Sequence, residues 1–157
     1  MKKINFYIKC LVLLLLLFKI TACNIAAGSY PYAELYHINV NENDLVKAII
    51  NFKKQYPEYN VPSQTQLEDG REDDKDLWYH IYFYFPRENQ IIYAWTRPGN
   101  KGETTFAFVS VNEGLNLGNW KDVNKDFKSS DNSLQKEKFE KRILNVIKSK
   151  FLKKVQF

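Results

Sequence analysis

Three short runs rich in aromatic and β-branched residues constrain this chain most: Leu77–Phe85, Gln90–Arg97 and Thr104–Val111. Each has the length and composition of a β-strand. The first gap holds Pro86-Arg87-Glu88-Asn89 and the second Pro98-Gly99-Asn100-Lys101-Gly102, both suited to hairpin connections. The runs therefore predict an antiparallel meander. Side chains alternate across a strand, so the parity of each turn decides which residues share a face. An even first turn puts Leu77, Tyr79, Ile81, Phe83, Phe85, Ile92, Ala94 and Thr96 on one aliphatic face. The opposite, aromatic face then carries Trp78, His80, Tyr82 and Tyr84 with Ile91, Tyr93, Trp95 and Arg97. Even parity at the second turn adds Thr105, Ala107, Val109 and Val111 to the aliphatic face, and Thr104, Phe106 and Phe108 to the aromatic one.

Helical signals flank the meander. Tyr36, Ile38 and Val40 alternate within Leu35–Val40 and suggest a further strand. Asn41 or Asn43 can cap a helix whose apolar side is Leu45, Ala48, Ile49, Phe52 and Tyr56, ended by Pro57. Residues 60–76, with Pro62, Gly70 and a crowd of carboxylates, read as a long mobile loop, and 114–132 as another loop. Asn132 or Ser133 can cap a last helix with a stripe of Phe139, Ile143, Val146, Ile147 and Phe151. The expected fold is α+β: an antiparallel three- to four-stranded meander sheet with two helices packed on one face, in the order β-α-β-β-β-α.

The N-terminus has a different character. Lys2, Lys3 and Lys9 precede an unbroken apolar run, Cys10 to Phe18, and Ile20-Thr21-Ala22-Cys23 follows. The run is too short for a membrane-spanning helix, which needs roughly 20 apolar residues, and has the length of a signal-peptide core. A small residue before cysteine at this point resembles the lipobox of bacterial lipoproteins. That resemblance covers residues 1–23 alone. It implies a signal peptide over 1–22, a diacylglyceryl group on the Cys23 thiol, an acylated new N-terminus and stable anchoring through two or three chains, palmitate among them. Residues 23–33 would then be a lipidated tether, roughly 35 Å long when extended, and 34–157 a single domain. No acidic cluster follows Cys23, so the expected location is the bacterial cell envelope, lipid-anchored and periplasm-facing.

Cleavage changes what composition implies. The chain has 23 basic and 18 acidic residues, and losing Lys2, Lys3, Lys9 and Lys19 leaves 19 against 18. The basic isoelectric point is therefore largely a property of the signal peptide, and nucleic acid is not an expected partner. Cys10 would be removed and Cys23 lipidated, so thiol catalysis, thiolate metal sites and disulfides are excluded from the mature domain.

The strongest site candidate is the aromatic face: Trp78, His80, Tyr82, Tyr84, Tyr93, Trp95 and Arg97. Flat side chains with polar tips suit a protein, peptide or glycan surface. Asp122-Val123-Asn124-Lys125-Asp126 resembles the start of a calcium loop, but Phe127 replaces the turn glycine and Ser133 the bidentate glutamate, so a polar turn is expected. No metal or other cofactor is expected. The expected role is a non-enzymatic binding or interaction module, inhibitor- or immunity-like in one form. Two alternatives stand beside it. One is a small envelope hydrolase using His80 with a carboxylate. The other is a structural lipoprotein whose basic C-terminal helix meets anionic lipid.

Overall fold

The computed structural model describes residues 29–152. Those from Tyr32 onward belong to one compact unit. Its strands are β1 (Glu34–Ile38), β2 (Tyr79–Phe85), β3 (Gln90–Pro98), β4 (Thr104–Glu113) and β5 (Trp120–Asp122). Its helices are α1 (Glu42–Gln55), α2 (Ser129–Phe139) and α3 (Asn145–Leu152), the last two joined by a π-turn over Glu140–Leu144. The fold is α+β. The sheet is antiparallel in the order β1-β4-β3-β2, and the short β5 also pairs with β4. β1 takes Thr104–Phe108 of β4 and β5 takes Ser110–Asn112, so the two lie end to end along one edge.

Local chemistry explains the elements. Asn41 caps α1, its Oδ1 accepting from the Asp44 amide at 3.0 Å, and Glu42 and Asp44 face the positive end of the helix dipole. Leu45, Ala48, Ile49 and Phe52 bury one side of α1 against the sheet. The β2–β3 turn is Pro86–Asn89, with Asn89 in the left-handed region at φ 53°, a conformation that asparagine tolerates. Its even length pairs Tyr82 with Tyr93 and Phe83 with Ile92, keeping the aliphatic and aromatic sets apart.

The second hairpin departs from expectation. Pro98 pairs with Thr104, so the connection is Gly99–Glu103, an odd number of residues closed by the Gly99 amide donating to the Glu103 carbonyl at 2.8 Å. A Cβ on Gly99 would lie 3.2 Å from that carbonyl oxygen. The odd turn flips the first half of β4. Phe106 and Phe108 sit opposite Thr96 and Ala94 on the helix-covered face, while Thr105 and Ala107 sit opposite Arg97 and Trp95. The ladder then slips between Phe108 and Ser110, leaving Val109 as the extra residue of a β-bulge. The bulge restores the original parity, so Val111 returns to the helix face opposite Ile92.

The last helix begins earlier than its caps suggest. Lys128 occupies the N-cap position, and Asn132 instead exchanges hydrogen bonds with Asn124. Its buried positions Gln135, Phe139, Ile143 and Ile147 recur every four residues. In a straight α-helix such a stripe drifts by about 40° per step. The π-turn inserts extra chain and turns the stripe back onto the sheet. Phe139 is its centre, stacked on Phe108 at 4.8 Å and packed against Phe106 at 5.4 Å and Tyr36 at 5.8 Å. Tyr36 donates its hydroxyl to Glu140 at 3.1 Å, and burial with that carboxylate pushes its ionisation well above the usual range. Both helical segments thus pack on the same face as Ile81, Phe83, Phe85 and Ile92.

Candidate binding face

The sheet face away from the helices gathers most of the aromatic candidates. Trp78 meets Trp95 edge-on at 6.4 Å, His80 stacks on Tyr93 at 5.8 Å, and Tyr93 stacks on Tyr82 at 5.2 Å. Trp120, from β5, closes the row against Tyr93 at 6.1 Å and Tyr82 at 6.4 Å. His80 and Trp95 are buried, and Trp78, Tyr82, Tyr93 and Trp120 are partly buried. Tyr84 and Arg97 lie at opposite ends. Tyr84 bends to the hairpin turn, donating to Asn89 Oδ1 at 2.9 Å, and Arg97 is exposed. Phe106 and Phe108, expected here, lie on the other face for the reason given above. Cys23 lies outside the described residues.

Trp120 belongs to a stretch that reads as loop. A three-residue strand is too short to show alternation. The signal that could have found it is Asn112, fully buried on β4. Its side-chain amide donates to the Gly114 carbonyl at 2.8 Å and the Asn116 carbonyl at 3.2 Å, and its Oδ1 accepts from the Asn119 amide at 2.9 Å. One side chain thus shapes the loop that sets Trp120 opposite Asn112 in register.

His80 sits between two partners. Its Nε2 lies 2.9 Å from Asp76 Oδ2 and its Nδ1 lies 2.6 Å from the Tyr93 hydroxyl. Asp76 also accepts from the backbone amides of Trp78 at 2.9 Å and Glu72 at 3.0 Å, and these hold its carboxyl below the ordinary value. An ionised Asp76 can only accept, so Nε2–H donates to it, and in that tautomer Nδ1 accepts from the Tyr93 hydroxyl. The carboxylate is thus only four residues before His80, hidden in the acidic run where sequence spacing gave no reason to choose it.

The segment expected to be a mobile acidic loop is strapped down instead. One 3-10 turn, Ser63–Thr65, lies within it, and another, Pro57–Tyr59, lies just before it. Further on, Asp69, Arg71 and Asp76 turn inward. Lys53 of α1 donates to Asp69 at 2.5 Å and to the Tyr82 carbonyl at 2.7 Å. Asp69 accepts in turn from the Tyr82 amide at 2.9 Å. Gly70 and His80 exchange backbone hydrogen bonds. Arg71 pairs with the buried Glu42, which also accepts from Thr96 at 2.9 Å. Burial lowers the Lys53 pKa, and the Asp69 charge opposes that effect. Glu68, Glu72, Asp73 and Asp74 stay exposed. This strap seals most of the free edge of β2 and fixes Asp76 under His80.

Two other candidate stretches make contacts within the domain. In the calcium-like stretch, Lys125 approaches Asp122 at 3.4 Å and Asp126 at 3.9 Å, and Asp126 accepts from the Asp122 amide at 2.8 Å. A lysine there takes the place that a cation would fill. Along the last helix, Lys136 pairs with Glu34, Lys141 with Glu137 and Arg142 with Glu88, while Lys138 reaches Gln90 and Lys150 reaches Gln55. These cations are largely committed within the domain. Among the described residues no helix is long and apolar enough to cross a membrane. Comparison with known proteins returned no matching family model, no matching curated protein and no matching solved structure.

Proposed function

We propose that this chain is a lipid-anchored, periplasm-facing binding module of a bacterial cell envelope. Cys23 carries the anchor, and the aromatic face of the sheet meets a protein, peptide or glycan. One observation carries the reading: among the described residues the helices pack on one face of the sheet, while the other bears the ring row Trp78–Trp95 and His80–Tyr93–Tyr82–Trp120. Such rings combine large contact area with few rotatable bonds, the composition of interface hot spots. An inhibitor- or immunity-type lipoprotein, which binds and blocks, is the specific form that this favours.

Two measurements test it. Cells fed radiolabelled palmitate should label the wild-type protein and leave Cys23→Ser unlabelled and released from membranes. Labelling of Cys23→Ser removes the anchor. The processed protein, held in detergent micelles, should retain an envelope partner that Tyr82→Ala or Trp95→Ala loses. Retention by both variants removes the aromatic face.

The Asp76–His80–Tyr93 chain supports a second reading, an envelope hydrolase in which His80 draws a proton from Tyr93. Hydrolysis of an envelope substrate that is abolished by both Tyr93→Phe and His80→Gln would favour it. Activity surviving both substitutions would eliminate it.

A further inference from the structure

At the Arg97 end, the chemistry of the aromatic face changes. Arg97 lies two residues beyond Trp95 on β3 and pairs across to Thr105 of β4, which pairs across to His37 of β1. With Leu77, Pro98, Gly99, Asn100 and Glu103, these residues line an open pocket of about 520 Å³. The Arg97 guanidinium makes no hydrogen bond or ion pair with another described residue. Glu103 is the one carboxylate of the lining, and it faces His37, whose Nδ1 is 3.8 Å away. The Thr105 hydroxyl lies 3.5 Å from the same nitrogen. Glutamate and threonine thus share Nδ1, so they form no nucleophile–base–acid chain through His37. The pocket is a recognition site rather than a second catalytic centre.

Its donors outnumber its acceptors. Arg97 offers a planar fork of N–H groups, Asn100 a side-chain amide, and His37 an imidazole whose side chain is 61% exposed. An unpaired guanidinium fork matches a carboxylate geometrically, with two parallel hydrogen bonds. Arg97, the one Lys or Arg of the lining and unpaired among the described residues, balances one negative charge. A dianion such as phosphate would bring a second charge toward Glu103 with nothing to offset it. Beside the fork, Leu77 is 59% exposed and Pro98 is exposed with it, an apolar wall at the mouth of a polar pocket.

We propose that this pocket binds the free C-terminal carboxylate of a peptide ending in an apolar residue. The carboxylate pairs with Arg97 and Asn100, and the last side chain lies against Leu77 and Pro98. This specifies the partner of the face described under Proposed function and rests on that reading.

The test is an NMR titration of the processed, lipidated protein in detergent micelles, following the Arg97 Nε–H signal and the amides of residues 99–103. The probes are N-acetyl-alanyl-leucine, its C-terminal amide, and glucuronate. The free acid should shift those signals saturably, and the amide should bind about tenfold or more weakly, as for a lost charge-assisted hydrogen bond. Arg97→Gln should abolish the shifts, and Arg97→Lys should retain part of them. Arg97 is exposed and holds no other described residue, so either variant should keep the remaining spectrum. Equal binding of acid and amide, undiminished binding to Arg97→Gln, or shifts confined to other residues would overturn the proposal. Tighter binding of glucuronate than of the peptide would overturn the peptide assignment. An envelope partner lost by Trp95→Ala but kept by Arg97→Gln would leave the aromatic face standing with this pocket refuted. Acid binding at Arg97 with capture unaffected by Trp95→Ala would do the reverse.

Discussion

Replacing Lys53 by methionine is the sharpest probe of the strap. Methionine keeps an unbranched apolar stem of similar length, so packing changes little, though the Nζ that lies 5.0 Å from the Phe83 ring centre is lost with the charge. What disappears is the positive charge that pairs with Asp69, together with the donor to the Tyr82 carbonyl. The lysine side chain is 9% exposed and that of Asp69 is 21% exposed. Removing one partner of a fully buried pair costs about 3–5 kcal/mol. Asp69 keeps some water and its bond from the Tyr82 amide, which lowers the expected loss to about 2–4 kcal/mol. For a domain of this size that corresponds to roughly 10 °C in Tm. Urea unfolding followed by circular dichroism measures the global loss. Hydrogen exchange at the His80 amide, which bonds to Gly70 across the strap, should accelerate more than exchange at core amides of β3. The double variant Lys53→Met/Asp69→Leu removes both charges and should recover at least half of the loss. A cost for Lys53→Met below about 1 kcal/mol, or a double variant no more stable than the single, would refute the assignment of the strap to this pair.

Other substitutions and conditions probe other parts of the argument. Phe139→Ala removes the ring that Phe106, Phe108 and Tyr36 pack against, and should cost about 3–5 kcal/mol in denaturant unfolding. Asn112→Ala leaves two carbonyls and one amide of the 114–119 loop unpaired; it should cost about 2 kcal/mol and alter Trp120 fluorescence, and an unchanged emission spectrum would show that Asn112 does not place Trp120. Acid titration should expose the depressed carboxyls. The Glu88 pKa is lowered by its hydrogen bonds from Arg142, and that of Asp76 by the Trp78 and Glu72 amides. A carboxyl whose folded pKa is depressed stabilises the fold above its unfolded value of about 4, and that contribution fades as pH falls through the folded value. Stability should therefore decline below about pH 4, and Glu88→Gln should make the decline shallower.

The first hairpin was legible because Pro86–Asn89 is an even connection whose residues demand a turn, so the Tyr82–Tyr93 and Phe83–Ile92 pairings follow from alternation. The second was not. Whether Pro98 and Glu103 belong to strand or turn changes the parity by one, and nothing in Gly99-Asn100-Lys101-Gly102 decides it. A single bulge at Val109 then hides the error at Val111, where expectation and structure agree again. The amphipathic stripe of α1 was legible because 3.6-residue periodicity is local. The strap was not, because its clamps join residues far apart in sequence, such as Glu42 with Arg71 and Lys53 with Asp69. Composition correctly marks that segment as charged, but charge alone does not say which carboxylates turn inward.

The strap also bears on how this domain can meet a partner. An unsealed edge strand offers a ladder of backbone groups to an incoming strand, a route that needs little from side chains. On β2 that route is closed along much of the edge. Gly70 takes both groups of His80, Asp69 takes the Tyr82 amide and Lys53 takes the Tyr82 carbonyl. A competing strand would have to displace those bonds and leave Lys53 and Asp69 without each other in a largely dry site. The same clamps hold Asp76 under His80, and His80 holds Tyr93 within the ring row. One set of contacts therefore blocks recognition through the backbone at this edge and braces the face where recognition through side chains is proposed. If that coupling holds, Lys53→Met should disturb Tyr93 as well as the edge. A Tyr93 ring whose NMR environment is unchanged in that variant would separate the two.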